Sequence, residues 1–486
     1  MKGDGLIMEV FRSKFTSFYI NILRFLIFLL VISSSYMVII NKIGSPIITT
    51  VYLLAIILEI FIIINKNINK NIKLISILAI GFTLRLLWLL NIKSVPVSDF
   101  STIYETAQKL LVGDTTAFYG TNYIARFPHL TFMVLYMSLI IKLFPYSNLL
   151  VMKGISLLLG VLTIYIIYKV VKEIFNSKKL GLYGAAIAAI FPPLIVYVGV
   201  YCTENLAIPL YLLSIYFFVM VIKNKLNKYY LILSGVALSF GNLFRMVATI
   251  MLIAYTIYII IYRNDKIFNK IRDILLYLVP YFLVLIIVSG SLQLLKITEF
   301  PLWSGSEPKI TNILKGTNID HYGRWNPEDA AVVDRNNYDY EKIEEESKKI
   351  IIERLTTTPP LELIKFYFTK YLVQWSSGDF EGVFWSKLNV EDEDIILNVN
   401  SNSFQLYYLI VITLIFLGLL NRKEYKEHQE INLIYIIICG YGFMNLITES
   451  QGRYSLIASW ALVIASIEGV RYIYKKLNKE NYLETV

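Results

Sequence analysis

The chain has 486 residues, 56% of them hydrophobic, with a formal net charge of +10. Its mean hydropathy of +0.58, with apolar runs long enough to cross a bilayer, excludes a soluble globular enzyme and points to a polytopic membrane protein. The charge does not argue for nucleic acid, because Lys and Arg cluster in short connections between apolar runs, as the positive-inside rule expects. Cys202 and Cys439 both fall in or beside such runs, too few for a disulfide framework, and read as packing residues.

In chain order, spans are predicted near 18–40, 46–64, 72–92, 149–172, 180–200, 204–222, 229–244, 246–262, 274–297, 403–420, 431–448 and 454–473, about twelve in all. The first is too long for a signal core and lacks a small-residue cleavage site, so it reads as a retained helix. Alternate connections are basic: Lys66, Lys70 and Lys73; Lys172, Lys178 and Lys179; Lys223, Lys225 and Lys228; Arg263, Lys266, Lys270 and Arg272; Arg422, Lys423 and Lys426. These are expected inside, with both termini: Lys2, Arg12 and Lys14 at one, Arg471, Lys475 and Lys476 at the other.

The stretch from His129 to Phe144 is only about sixteen residues, short for a span. Counting it would move Lys178 and Lys179 outside, so it is predicted to be an interfacial or re-entrant helix on the outer face. The segment 93–148, the turns near Glu204 and Arg245, the region 298–402 and the turn from Glu449 to Arg453 then share that face. The division follows: two N-terminal helices over 1–71, a core over 72–297 with its first outer loop at 93–148, an extracytoplasmic insert over 298–402, and C-terminal helices with a cytoplasmic tail over 403–486.

The insert holds a turn-rich stretch, GTNIDHYGRWNPEDA, a predicted helix from about Asp339 to Leu355, and the amphipathic LELIKFYFTKYLVQW. Too small and interrupted for an independent enzyme, it is expected to act as a lid or acceptor platform, with the aromatic face of its last stretch in the headgroup layer. Trp375 and Trp385, flanking SSGDFEGVF, are expected to be interfacial anchors.

Asp99 directly follows the span at 72–92 and is the candidate general base. The plainer reading is that Asp99 or Ser98 caps the next helix. Glu204 is a second acid, at a helix start where the dipole alone would favour it. Arg245, in GNLFRMVA, and Arg453, beside Tyr454, oppose the positive-inside bias, and Arg126 precedes the short helix in ARFPH. A guanidinium grips phosphate with two hydrogen bonds; the alternative is snorkelling to lipid headgroups. His129 and His321 are the outer-face histidines, with no HxH or HxxxH spacing, and a divalent metal held by Asp99, Glu204 and His129 is the one cofactor alternative considered.

Taken in order, SDFSTIYETA, ARFPH, KEIFNSKK, AAIFPPLIVYVGVYCTENL, GNLFR and ESQGRYSL resemble the GT-C glycosyltransferases over residues 72–473. Among these the chain resembles the bacterial relatives of dolichyl-phosphate-mannose protein mannosyltransferase and of aminoarabinose transferase. The resemblance implies an all-α, GT-C-like bundle, multi-pass in the cell membrane, with its active site on the extracytoplasmic face. It implies transfer of a sugar from a polyisoprenyl-phosphate donor to a cell-envelope glycan, lipid or protein. Glu204 would then be the family's second acid, and Tyr104, in the first motif, would join Arg126, Arg245, Arg453 and His129 on the substrate side. The chain departs from the family in its two extra N-terminal helices and in a single acid, Asp99 followed by Phe100, where the protein mannosyltransferases carry an acidic pair. Two other classes compete. A lipid-linked sugar or polysaccharide transporter would show midplane charge in two repeat-related halves, and no repeat is evident; a non-catalytic envelope-assembly scaffold would tolerate loss of Asp99 and Arg245.

Overall fold

A computed structural model describes residues 2–40, 44–422 and 426–478; the Lys2 side chain, Lys423 and the tail beyond residue 478 lie outside the described residues. The chain starts with α1 (Lys2–Ile40), α2 (Pro46–Ile64) and α3 (Lys70–Asn91), then lays three short helices across one end of the bundle: α4 (Asp99–Leu111), α5 (Tyr123–Arg126) and α6 (Thr131–Leu143). It continues with α7 (Asn148–Phe175), α8 (Lys178–Ile190), α9 (Pro192–Val196), α10 (Glu204–Ile222), α11 (Tyr230–Phe244), α12 (Thr249–Tyr262) and α13 (Ile267–Leu294). The insert comprises α14 (Ile310–Gly316), α15 (Pro327–Arg335), α16 (Tyr340–Thr357), α17 (Pro360–Trp375) and α18 (Gly382–Lys387), and α19 (Asn402–Asn421), α20 (Ile431–Ile447) and α21 (Ser459–Asn478) follow. Among the described residues the β contact is one antiparallel bridge, Ile92 with Ile395.

The GT-C-like all-α expectation holds. Among the described residues eight helices are long and apolar enough to cross a membrane, or up to ten if each of two bent pairs is one span. The expected spans at 180–200, 229–244, 246–262 and 431–448 fall on the bent α8–α9 pair and on the shorter helices α11, α12 and α20, so twelve crossings remain an expectation. The segment before α6 meets it at 107°, a geometry shared by a broken span and a re-entrant loop.

The break after α8 has a chemical cause. Pro192 and Pro193 carry no N–H, so the carbonyls of Ala188 and Ala189 lose their helix donors. Arg85 of α3 replaces them, with Nη2 3.2 Å from Ala188 O and Nη1 3.0 Å from Ala189 O. The room for this buried guanidinium comes from glycine: a Cβ on Gly160 would lie 2.8 Å from Arg85 Nε. An arginine inside an apolar span is expensive without such partners; here it mends a broken helix whose turn leads the chain to Glu204.

The predicted basic connections gather at one end and meet helix C-termini, where orphan carbonyls and the dipole favour cations. Lys73 Nζ donates to Ile63 O at 2.9 Å, Lys270 Nζ to Ile260 O at 2.6 Å and Lys223 Nζ to Glu173 O at 2.6 Å. The insert, Asp99, Glu204, Arg245 and Arg453 lie at the opposite helix ends.

The helix predicted from Asp339 is α16, capped by the Asp339 carboxylate on Lys342 N. Two expectations about aromatic residues are corrected. In α17 Phe366, Tyr371 and Trp375 are buried in protein, on the side where Lys370 and Gln374 find polar partners, while Leu361, Ile364 and Phe368 are exposed, so only part of the aromatic set is left to face headgroups. Trp375 is likewise buried, and Trp385 packs against an arginine, as described next, so neither is a simple interfacial anchor.

Candidate active site

The site begins where α3 hands over to α4. Ser98 adopts φ 51° and ψ −129°, a sparsely populated conformation costing on the order of 1–3 kcal/mol, of the kind that persists where surrounding packing enforces it. Neither Ser98 nor Asp99 caps α4 through its side chain, so the plainer role considered for Asp99 is not the one it has. Its carboxylate, 42% exposed, lies 3.5 Å from Nη2 of Arg453, whose side chain is only 6% exposed.

Arg453 sits in an aromatic cage, its guanidinium carbon 4.6 Å from the Trp385 ring centre, 5.0 Å from Phe100 and 5.5 Å from Tyr454. Ring faces attract a cation in this range. They accept no ordinary hydrogen bonds, and Nε and Nη1 of Arg453 are buried without a partner. On the other face of the site the Arg245 guanidinium lies 5.1 Å from the same Tyr454 ring, and its Nε is 3.3 Å from Glu204 Oε1. Glu204, 2% exposed, opens α10, with Thr203 Oγ1 donating to its other oxygen at 3.1 Å. Arg245 falls in the break between α11 and α12, where the Tyr211 hydroxyl donates to its carbonyl and Asn242 Oδ1 accepts from Ala248 N. The outcome is a row: Asp99, Arg453, Tyr454, Arg245, Glu204.

Glu449 secures the ring at the middle of the row, accepting from the Tyr454 hydroxyl at 3.2 Å. His129 stands beside the row: burial, and then the charges of Arg245 and Lys309, push its imidazole pKa down to about 4 against the opposing pull of Asp99. Tyr123 faces Asp99, and burial, then that negative charge, push its phenol well above the usual range.

The structure thus brings Asp99, Glu204, Arg245, Arg453 and His129 to one end of the bundle. It does not bring Arg126 and Tyr104 into the row. Arg126 is committed to buried Glu307, with Nε and Nη2 at 2.9 and 2.6 Å from one oxygen, which ties the first outer loop to the insert. The Tyr104 hydroxyl donates to Asn148 Oδ1 at 2.9 Å. Among the described residues no three His, Cys, Asp or Glu side chains gather as metal ligands; Asp99, Glu204 and His129 therefore do not form the set considered above, since Glu204 is turned to Arg245 and Asp99 to Arg453. Sequence reasoning missed Tyr123, Lys309 and the caging role of Trp385, which come from segments far apart in the chain and carry no spacing signal.

Residues 129–292 match the family model of dolichyl-phosphate-mannose-protein mannosyltransferase. The resemblance drawn from the motifs is borne out. The matched stretch holds His129, Glu204 and Arg245. Among solved structures, the apo oligosaccharyltransferase of Archaeoglobus fulgidus has a similar fold, with TM-score 0.51 at 15% identity over 85% of this chain and 51% of that one. The chain spans about half the length of that protein. The same oligosaccharyltransferase tethered to an acceptor peptide aligns with TM-score 0.48 at 14% identity, over 85% of this chain and 51% of that one. The protein ArnT from Cupriavidus metallidurans, bound to undecaprenyl phosphate, aligns with TM-score 0.33 at 11% identity, over 82% and 78% of the two chains. No curated protein matches the chain.

Proposed function

We propose that this polytopic membrane protein is a glycosyltransferase that moves a sugar from a polyisoprenyl-phosphate donor to a hydroxyl of a cell-envelope glycan, lipid or protein at the extracytoplasmic face. The observation that carries the reading is the row itself, in which two arginines meet across one tyrosine ring, and the more buried of them, beside a half-exposed carboxylate, keeps two hydrogen-bond donors unfilled. Buried donors in native proteins are nearly always satisfied. An anionic ligand would satisfy these, and phosphate matches the guanidinium geometry.

In this reading Asp99 takes the proton of the acceptor hydroxyl as its oxygen bonds to the anomeric carbon. The bond from that carbon to the phosphate oxygen breaks, and the lipid phosphate leaves with the electron pair. Arg453, with Arg245, stabilises the charge that develops on the leaving phosphate. Glu204, buried against Arg245, orients that arginine, and His129, held neutral, can hydrogen-bond to substrate without adding charge. The domain division follows the same logic, the insert and the 93–148 loop covering the site while the helices carry the lipid.

Purified protein incubated with a panel of labelled polyprenyl-phosphate sugars should consume one of them when supplied with envelope acceptors, and consumption of none across the panel would overturn the reading. Facing is tested separately. Val112→Cys and Tyr146→Cys, both at exposed positions, should react with a membrane-impermeant thiol reagent on intact cells, whereas Ile267→Cys should not. Labelling at 267 would invert the site.

A further inference from the structure

The segment that carries Arg453 runs from the end of α20 into the 3-10 turn before α21. Its backbone is tied to the insert at Glu449 N to Asn312 O, 2.9 Å, and Ser450 N to Gly323 O, 2.7 Å, and the side chains that reach it from both sides of Arg453 lie on α17. Lys370 of α17 is fully buried and gives all three ammonium hydrogens to carbonyls: Gly316 O at 2.6 Å, Leu446 O at 2.8 Å and Thr448 O at 2.7 Å. Two of these are carbonyls at the C-terminal ends of α14 and α20, which lack helix donors, so one side chain closes two helices and fixes where the segment starts. One turn on, Gln374 uses both ends of its amide. Its Nε2 donates to Gln451 O at 2.7 Å and Ser455 Oγ at 2.9 Å, and its Oε1 accepts from Ser450 Oγ at 2.6 Å. These contacts bracket Arg453 on both sides without touching it.

We infer that Lys370 and Gln374 are positioning residues for the donor site: α17 holds the 448–455 segment so that the Arg453 guanidinium stays in its aromatic cage beside Asp99. This rests on the proposed function for its consequence, since the ligand positioned for is the lipid phosphate. The geometry also explains why an amphipathic helix buries a lysine. A buried ammonium is costly unless every hydrogen is accepted, and here each one is.

The test uses Gln374→Met, which keeps the side-chain length and removes the amide, and Lys370→Met as the harsher variant. Amide hydrogen exchange of the purified full-length protein should accelerate about tenfold or more over 448–455 in Gln374→Met while α19 and α21 stay protected. Exchange unchanged there would overturn the inference whatever the ligand is. Affinity for a polyprenyl phosphate in nanodiscs should fall about tenfold in Gln374→Met, and the same change should cost nothing further in an Arg453→Ala background, because positioning acts through that arginine. Additive losses would show a general structural role and overturn it. Wild-type protein that binds no polyprenyl phosphate, with exchange still accelerated in the variant, counts against the proposed function and leaves the positioning standing.

Discussion

At the basic end of the bundle Glu468 accepts from Arg422 Nη1 and Arg471 Nε, each at 2.8 Å, and Asp273 accepts from Arg263 and Arg272, also at 2.8 Å. At the opposite end Arg453 meets a single carboxylate at 3.5 Å and keeps two donors unfilled. Both ends bury arginine beside acid, yet at one end each carboxylate takes guanidinium hydrogens from two arginines at 2.8 Å, and at the other the carboxylate paired with Arg453 stands off at 3.5 Å. Tight, shared pairing closes the one end and holds the fold, whereas a caged guanidinium with a loosely placed acid and two unfilled donors leaves the other open, with room for a ligand.

Breaking the closed end should cost the most stability. Glu468→Ala removes the acid that two buried arginines share, leaving Arg471 with Glu427 and Arg422 with Asn432, and removing one partner of a buried pair typically costs up to about 3–5 kcal/mol. A large fall in thermal stability in detergent, with turnover per folded molecule unchanged, is the expected result; lost turnover at unchanged stability would erase the contrast. At the open end the order reverses. Asp99→Asn should leave the melting temperature within a degree or two of wild type and lower turnover about a hundredfold or more, the usual scale for loss of a general base, measured as consumption of the labelled donor. Arg453→Ala should then weaken polyprenyl-phosphate binding by about 2 kcal/mol, the loss of a charge-assisted contact. Arg453→Lys should recover only part of it, since a point charge lacks the guanidinium's two-pronged grip. Unchanged affinity in both variants would make the open end a headgroup anchor.

How much of this was legible in the chain depends on whether a residue's cost shows locally. Asp99, Glu204, Arg245 and Arg453 stand beside apolar runs, where a charge is conspicuous, and alternation of basic connections placed them at one end together. That Arg453 would face Asp99, and Arg245 face Glu204, is set by the packing of distant helices and has no local trace. Arg126 shows the limit from the other side: its motif is intact, but its partner, Glu307, lies 181 residues away, and only tertiary structure shows that the pair is closed. Lys370 and Gln374 look like ordinary polar positions on an amphipathic helix. Their face is read as solvent or headgroup until the carbonyls of Gly316, Leu446 and Thr448 are seen against it.

The smallest expected effect is on pH dependence and concerns His129, which belongs to the open end. Its imidazole pKa is pushed down to about 4, first by burial and then by Arg245 and Lys309, against about 6.5 in an unfolded chain. Between those values the unfolded state binds a proton that the folded state refuses, so stability rises with pH there and falls as pH drops from about 6.5 towards 4. The slope from this one group is at most about 1.4 kcal/mol per pH unit. His129→Gln, which keeps a hydrogen-bonding side chain but cannot titrate, should flatten the acid-side decline of the melting temperature in that window and leave it unchanged above about pH 7. The binding arm sharpens the comparison of the two ends: a bound polyprenyl phosphate brings negative charge next to the imidazole, favours its protonated form and moves the folded pKa up towards about 6.5, so the wild-type decline should end at a higher pH and become smaller. The variant should show no such ligand-dependent movement. An equal movement in both proteins would place the phosphate away from His129 and, with it, away from Arg245.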